Sequence, residues 1–337
     1  MTSRRKLLSI IIPAYNEEGN IEEIHERVTR LFERELADYD YEAIILDNAS
    51  TDGTPERARV LCSRDTRWKY LRYSRNFGFD ASLTAGLDHA RGDAVITLLS
   101  DLQDPPELIP QFVREWEQGA LVVNGVVRRR EDASRLKTLG ADIAYWLIHH
   151  LSETKIPPGA TDFRLLDHRV VEALRRLREP DRYLRGLVHW VGFERKLLPY
   201  DRQPRKHGRS SAGLIFCLQY AWNAIVSFSA KPLQIATYFG LAITLLSAVL
   251  AVLYLFIYFV RPDFATLPPP GISTLLLLIL FGIGTQSLFL GLIGEYLARI
   301  YNQGKNRQLY IVAESTGFDT RPAHIQAPGS PPGQTHE

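Results

Sequence analysis

The segment Ser100-Asp101-Leu102-Gln103-Asp104-Pro105-Pro106-Glu107 follows directly on the apolar run at residues 94–99. A short buried strand that leads into acidic and amide side chains places hard oxygen ligands at the carboxyl edge of a sheet, where nucleotides and their magnesium or manganese ions usually bind. The segment therefore indicates a site for a divalent cation and a nucleotide. The alternative interpretation is an Asp-rich turn that caps a helix opening at Pro106.

Three more apolar runs, at residues 7–13, 41–47 and 68–73, precede this segment and are typical of short strands. Helical patterns separate them, since residues 18–36 carry apolar side chains at helical spacing. Strands that alternate with helices predict an α/β domain with a largely parallel sheet.

Polar motifs follow the end of each predicted strand. They are Pro13-Ala14-Tyr15-Asn16-Glu17, Asp47-Asn48, Arg75-Asn76-Phe77-Gly78 and Asp101-Leu102-Gln103. In this order the motifs resemble those of glycosyltransferase family 2, and within it the polyprenyl-phosphate glycosyltransferases, the relatives of dolichol-phosphate mannose synthase and of the bacterial GtrB-type enzymes. The resemblance covers residues 7–300, roughly.

The resemblance implies a Rossmann-like GT-A catalytic domain with a mostly parallel sheet. The implied reaction is inverting transfer of a sugar from a nucleotide sugar, UDP-linked in preference to GDP-linked, to undecaprenyl or dolichyl phosphate. It also implies Mg²⁺ or Mn²⁺ held by Asp101 and Gln103, although Leu99 replaces the family's first metal-site aspartate. Magnesium often binds through one or two carboxylates plus phosphate oxygens, so the replacement need not abolish metal binding.

The other site residues also follow from the resemblance. Those expected around the donor nucleotide are Pro13, Tyr15, Asn16, Glu17, Asp47, Arg75 and Asn76. The basic residues expected near the lipid phosphate are Arg128, Arg135 and Lys137, and those of the loop ahead of the membrane are Arg202 and Arg205. Asn48 departs from a second acidic residue common in the family.

Three residues are expected to carry the chemistry. Asp162 matches the family's proposed catalytic acid and would serve as an acceptor-side base or orient other groups. Arg182 and Arg185 resemble a motif that closes over the diphosphate, and their spacing of three predicts one shared helical face.

Composition changes after Lys231, because residues 237–260 and 272–294 contain no charged side chain and are each long enough to cross a bilayer. Residues 210–230 are also uncharged, but Gln219, Trp222 and Asn223 favour a helix in the membrane interface over a third span. Basic residues after the second span favour a cytoplasmic C-terminus.

The sequence therefore predicts four regions. They are a GT-A domain (1–209), an amphipathic interface helix (210–231), a two-helix anchor (232–300) and a partly disordered cytoplasmic tail (301–337). The predicted location is a membrane, the bacterial inner membrane in preference, with the catalytic domain in the cytoplasm. A net charge of +2 suggests no nucleic-acid partner. Small residues such as Gly282 and Gly291 could pack helices within or between subunits of a homo-oligomer.

Two other functions remain open. A polysaccharide-extending enzyme of the same family usually carries a Gln-x-x-Arg-Trp motif and a longer membrane channel, and neither is in the sequence. A non-catalytic membrane protein that binds or translocates lipid-linked sugars would use the two spans, but it would not need acidic residues at the strand ends.

Overall fold

The computed structural model describes residues 4–128, 157, 159–180, 182–203, 231–260 and 272–318. Eight described strands form one sheet in the order β7-β5-β6-β4-β1-β2-β3-β8. Their bounds are Leu7–Ala14 (β1), Asp40–Asp47 (β2), Trp68–Tyr73 (β3), Ala94–Thr97 (β4), Val122–Val127 (β5), Ala160–Asp167 (β6), Arg195–Tyr200 (β7) and Val312–Thr316 (β8).

The four strands predicted from the sequence are confirmed and lie parallel at the centre of the sheet. Strand β1 pairs with β2 on one side and with β4 on the other, and β2 pairs with β3. Strand β4 ends at Thr97, earlier than the apolar run suggests, because the chain then turns so that the Ser100 hydroxyl donates to the Pro13 carbonyl at 2.8 Å. The carboxyl ends of all four strands consequently meet at one edge of the sheet.

Helices cover both faces of this sheet. Helices α1 (Ile21–Arg34), α2 (Thr54–Arg64) and α4 (Ile109–Glu117) lie on one face, and α3 (Phe79–His89), α5 (His168–Arg176) and α6 (Leu184–Trp190) lie on the other. Successive side chains of a strand point to opposite faces, so Ile10 and Ile12 pack into the first core while Ile11 packs into the second. Burial on both faces explains why apolar residues stand at consecutive positions in these strands, as at residues 10–12 of β1 and 43–46 of β2.

Two long helices follow, α7 (Lys231–Val260) and α8 (Ile272–Gly304). At a rise of about 1.5 Å per residue, each exceeds the roughly 30 Å of a bilayer's hydrocarbon core. Among the described residues, 279–304 is the stretch long and apolar enough to cross a membrane, and 236–247 is a shorter apolar stretch. Apolar side chains such as Leu245 of α7 and Leu290 of α8 are exposed. The predicted two-span anchor remains a prediction.

The segment after α8 returns to the catalytic domain, which the sequence analysis did not predict. Strand β8 pairs antiparallel with β3 at the edge of the sheet, with Glu314 opposite Arg72. The Arg59 guanidinium donates to both carboxylate oxygens of Glu314, at 2.7 and 2.9 Å, and the Tyr310 hydroxyl donates to Asp88 at 2.9 Å. Part of the region assigned to a partly disordered tail therefore belongs to the folded domain.

Candidate active site at the carboxyl edge of the sheet

The loop after β1 is fastened to the loop after β2. Asn16, in the left-handed region with φ 56°, accepts a hydrogen bond from the Thr51 backbone at its Oδ1 and donates its own N–H to Ser50. The Glu17 backbone N–H donates to the Thr54 hydroxyl at 2.9 Å. These contacts leave Tyr15 47 % exposed, so its ring is available to stack on a base.

Asp47 ends β2 at the same edge but is fully buried. Its Oδ1 accepts from the Ser50 backbone at 2.8 Å, and its Oδ2 accepts from the Tyr70 hydroxyl at 2.7 Å. Both carboxylate oxygens therefore help to shape the loop after β2. The expected contact between Asp47 and a base remains a prediction.

Asn48 ties the loop after β2 to the loop after β3. Its Nδ2 donates to Asn76 Oδ1 at 2.9 Å, and its Oδ1 accepts from the Phe77 backbone at 2.8 Å. Asn76 Oδ1 also accepts from the Gly78 backbone, so this oxygen has to remain an acceptor. An aspartate at position 48 could not donate to it. The amide thus gives a physical reason for the departure from the family's acidic residue.

We expect Asn48→Asp to destabilise the protein by about 1–3 kcal/mol, because a carboxylate would replace the donor that Asn76 Oδ1 requires. Chemical unfolding of the purified protein measures the change. Gln118→Glu, an exposed amide-to-acid replacement at the end of α4, serves as the charge-matched control and should leave stability nearly unchanged. Equal stability of Asn48→Asp and the control would mean that this amide bridge is unimportant.

The turn after β4 presents two oxygen-bearing side chains. Leu102 is buried with φ 54°, whereas Asp101 and Gln103 on either side of it are partly exposed. The Gln103 backbone donates to Asp101 Oδ1 at 3.2 Å, which holds the turn closed. A carboxylate and an amide oxygen are hard ligands that suit Mg²⁺ or Mn²⁺ when phosphates and water complete the coordination. Among the described residues, no cluster of three His, Cys, Asp or Glu side chains is placed to hold a metal ion.

Asp104 is fully buried next to this turn. It accepts from the Tyr200 hydroxyl, and its Oδ1 lies 3.1 Å from Arg202 Nε. Burial raises the pKa of Asp104, which the Arg202 charge opposes. The helix-capping interpretation of Asp104 is wrong, because Pro105 precedes the short 3₁₀ turn Pro106–Leu108 and no side chain caps it. Arg202 is thereby anchored next to the turn after β4.

Asp162 lies at the same edge because β6 runs antiparallel to β4. Thr97 pairs with Arg164, so Asp162 sits just beyond the end of β4, beside the chain that leads to Asp101. Asp162 is 5 % exposed and forms ion pairs with both Arg164 and Arg185. Burial raises the pKa of Asp162, but the two arginine charges outweigh this effect and bring it below its ordinary value.

Arg182 and Arg185 do not share a helical face, so that prediction is wrong. Helix α6 begins only at Leu184, and Arg182 precedes it. Arg182 is buried, where its guanidinium donates to the Thr84 hydroxyl at 3.1 Å and to the Leu174 carbonyl. Burial lowers its pKa. Arg182 therefore joins α3 to α5, and Arg185 is the one that reaches Asp162.

Of the basic cluster, the structure describes Arg128. It lies at the end of β5 with its side chain 61 % exposed, and its Nη1 is 3.4 Å from Asp201 Oδ2. Arg75 is likewise exposed and lies over the Phe77 ring, 4.1 Å from the centroid. Arg135, Lys137, Arg205 and the predicted interface helix up to residue 230 lie outside the described residues.

A cavity of about 510 Å³ lies between the start of α3 and α8. The domain side is formed by the start of α3, including Phe79 and Asp80, and by Arg182, while Glu295 and Arg299 of α8 close the other side. Burial raises the pKa of Asp80 to about 6. Sequence reasoning missed Asp80 and Arg164. Arg164 could have been found from its position two residues after Asp162, because residues two apart in a strand lie on the same face of the sheet.

Comparison with known proteins matches residues 9–175 to the family Glycosyl transferase family 2. An uncharacterized glycosyltransferase of Synechocystis sp. is 37 % identical, covering 94 % of this chain and 97 % of that protein. A bactoprenol glucosyl transferase of Shigella phage SfII is 36 % identical over 91 % of this chain and 98 % of that protein. A solved mannosyltransferase from Pyrobaculum calidifontis, in complex with GDP-Man and Mn²⁺, is 18 % identical with a TM-score of 0.45, covering 74 % of this chain and 81 % of that one.

Proposed function

The chain belongs to glycosyl transferase family 2, and from this membership we propose that it transfers a sugar from a nucleotide sugar to the phosphate of a polyprenyl phosphate. The observation that carries the proposal is the similarity to bactoprenol glucosyl transferases over nearly the whole chain, including the two long apolar helices. A relationship limited to the sheet domain would have supported the donor half of the reaction alone.

The donor half uses the carboxyl edge of the sheet. We assign the base to the exposed ring of Tyr15 and the loop that Asn48 fastens, and the diphosphate to the turn at Asp101 and Gln103. A divalent cation, Mg²⁺ or Mn²⁺, would neutralise the leaving diphosphate when bound there. Arg185, partly exposed at the same edge, adds a charge-assisted donor for the phosphate oxygens.

The acceptor half needs little proton transfer. A phosphate monoester has its second pKa near 6 and is mostly dianionic at neutral pH, so one of its oxygens can attack the anomeric carbon directly. The new C–O bond forms as the bond to the diphosphate breaks, and the configuration inverts. The products are a polyprenyl-phosphate sugar and a nucleoside diphosphate, with the electron pair of the broken bond on the diphosphate oxygen.

The direct test is to incubate the purified protein with undecaprenyl phosphate, Mg²⁺ and radiolabelled UDP- and GDP-sugars, one at a time, and to extract the lipid. We expect label in the lipid fraction with one UDP-sugar above the others. Label that remains in water with every donor, or that enters a growing glycan without a lipid-phosphate sugar, would refute the proposed acceptor.

We expect Arg128→Ala to raise the KM for polyprenyl phosphate about ten- to a hundredfold while leaving the KM for the nucleotide sugar nearly unchanged. A charge-assisted hydrogen bond made equally in the ground and transition states acts on KM, and its loss costs about 1.5–3 kcal/mol. Steady-state kinetics with each substrate varied in turn measure the two constants. Arg114→Ala, at an exposed position of α4, is the control. A rise in the donor KM alone would show that Arg128 does not hold the lipid phosphate.

Strand β8 supports a topology for the proposed anchor. Because β8 pairs with β3, the chain after α8 lies on the same side of a membrane as the domain before α7. An even number of crossings follows if these helices span the bilayer. We expect reporters fused after residue 318 to be cytoplasmic and reporters inserted at Pro269 to be external. An external signal after residue 318 would contradict the two-span anchor.

A further inference from the structure

Three side chains from β6 and α6 converge at the carboxyl edge. The Arg185 guanidinium faces the Asp162 carboxylate with two nitrogens, Nε at 3.4 Å from Oδ1 and Nη2 on Oδ2. Arg164 Nη2 donates to Oδ1 of the same carboxylate, and Arg164 Nε lies 3.4 Å from the Asp162 carbonyl oxygen. Both oxygens of Asp162 are therefore occupied by guanidinium donors.

The two arginines differ in what they can reach. The Arg164 side chain is 1 % exposed, so it can touch Asp162 and its other buried neighbours but not a bound substrate. The Arg185 side chain is 26 % exposed and lies on α6, at the rim of the edge. Within this trio, Arg185 is the member that can meet the donor, and Arg164, which contacts Asp162, can affect the reaction only indirectly.

His189 and Asp80 are two titratable side chains near the trio. His189 accepts at Nδ1 from Arg195 at 2.6 Å, which requires a neutral ring, and burial together with the charges of Arg164 and Arg195 lowers its pKa to about 4. Asp80 Oδ1 accepts a hydrogen bond from the Leu184 backbone N–H at 2.9 Å. A carboxylate that two arginines neutralise is itself a weak base, because protonation would forfeit both ion pairs.

We propose that Asp162 and Arg164 are positioning residues in the sugar transfer: Arg164 fixes the Asp162 carboxylate, which in turn fixes Arg185 toward the leaving diphosphate. This inference rests on the proposed function, and the place that it gives to Arg185 concerns the donor half, the binding of a nucleoside diphosphate. A guanidinium held in place before reaction stabilises developing charge without reorganisation in the transition state. The acceptor phosphate takes part as its own dianion, and no proton passes to Asp162.

A double-mutant cycle with Asp162→Asn, Arg185→Gln and the double variant tests the proposal. Each single variant should lower kcat about 10- to 100-fold. In the Arg185→Gln background, Asp162→Asn should lower kcat less than about threefold, because the guanidinium that Asp162 orients is already absent. A general base would instead cost the same factor in both backgrounds. That outcome would overturn the proposal.

A second readout does not depend on the acceptor. Calorimetric titration with UDP and with GDP, each with Mg²⁺, should show weaker binding in Arg185→Gln and in Asp162→Asn, and no further weakening in the double variant. Tighter binding in Asp162→Asn would mean that the carboxylate merely repels phosphate, which contradicts the proposal. If the wild type bound nucleotide normally but transferred no sugar to lipid, the proposed acceptor would be refuted. The comparison of nucleotide binding among the variants could still be interpreted.

Arg164→Lys extends the test to the buried member. Lysine keeps the charge but not the fork of donors, so kcat should fall in the wild-type background and not in the Arg185→Gln background. The pH dependence of kcat should keep its shape in every variant, because no essential proton acceptor has been removed. Arg169→Gln, on the exposed side of α5, is the matched control and should behave as wild type. Loss of an acid limb from the pH profile of Asp162→Asn would identify it as the base.

Discussion

Replacing Asp101 by asparagine is expected to lower the turnover number about 100- to 1000-fold. The turn after β4, where we propose that a divalent cation binds, offers one carboxylate, Asp101, and one amide, Gln103, since Leu99 stands where the family has another carboxylate. Charge neutralisation of a leaving diphosphate by a bound cation is worth several kcal/mol of transition-state stabilisation. The measurement is initial rate at saturating donor and acceptor, over a range of Mg²⁺ and Mn²⁺ concentrations.

The Asp101→Asn variant should still fold, because asparagine keeps the size of the side chain and an Oδ1 that accepts from the Gln103 backbone. Asp38→Asn, at an exposed position between α1 and β2, controls for the loss of one negative charge. If Asp101→Asn reached full activity once the metal concentration was raised, Asp101 would contribute to metal affinity alone. Full activity of Asp101→Asn at every metal-ion concentration would show that Asp101 is not a metal ligand.

The motif-bearing edge was predictable from the sequence because each central strand is buried on both faces. Such strands read as apolar runs with a sharp end, and the polar residues that follow are therefore easy to locate, as at Asp47 and Asp101. Because the four strands pair in parallel, the polar residues that follow them come together at one edge of the sheet. Their proximity can therefore be inferred from the positions of the strand ends alone. The same logic could not place Asp162, which reaches the edge by the antiparallel pairing of β6 with β4. Its assignment depended on resemblance to a family.

The errors have a common physical origin in tertiary contacts that override local pattern. The spacing of Arg182 and Arg185 fits one helical face, but Arg182 is drawn to the Leu174 carbonyl and Thr84 before the helix begins. Asp104 stands where an N-cap would be expected, yet Tyr200 and Arg202 hold it in the interior. In both cases a buried charged group finds its partners on a distant part of the chain, which spacing cannot reveal.

Strand β8 escaped prediction for a related reason. Its sequence Val-Ala-Glu-Ser-Thr is short, and most of its side chains are exposed or half-buried, so it lacks the apolar run that marks the central strands. It forms because the edge of β3 supplies backbone partners and Arg59 supplies a partner for Glu314. Pairing also covers an edge that would otherwise be open to association with other chains.

Ending the chain after residue 308 is therefore expected to destabilise the catalytic domain, whereas ending it after residue 318 should not. The shorter chain loses the β3–β8 ladder, the Arg59–Glu314 pair and the Tyr310 ring that lies 5.8 Å from Tyr73. We estimate a loss of about 3–5 kcal/mol from an edge strand with these contacts, which at about 2–4 °C per kcal/mol lowers the Tm by roughly 10 °C.

Thermal unfolding of both truncated proteins in the same detergent measures this difference, and both keep α7 and α8 whole. Glu314→Gln in the full chain separates the ion pair from the strand: it should cost about 1 kcal/mol or less, because the pair is partly exposed. Equal Tm values for the two truncations would show that β8 does not stabilise the domain. The structural support for a C-terminus on the same side as the active site would then be lost as well.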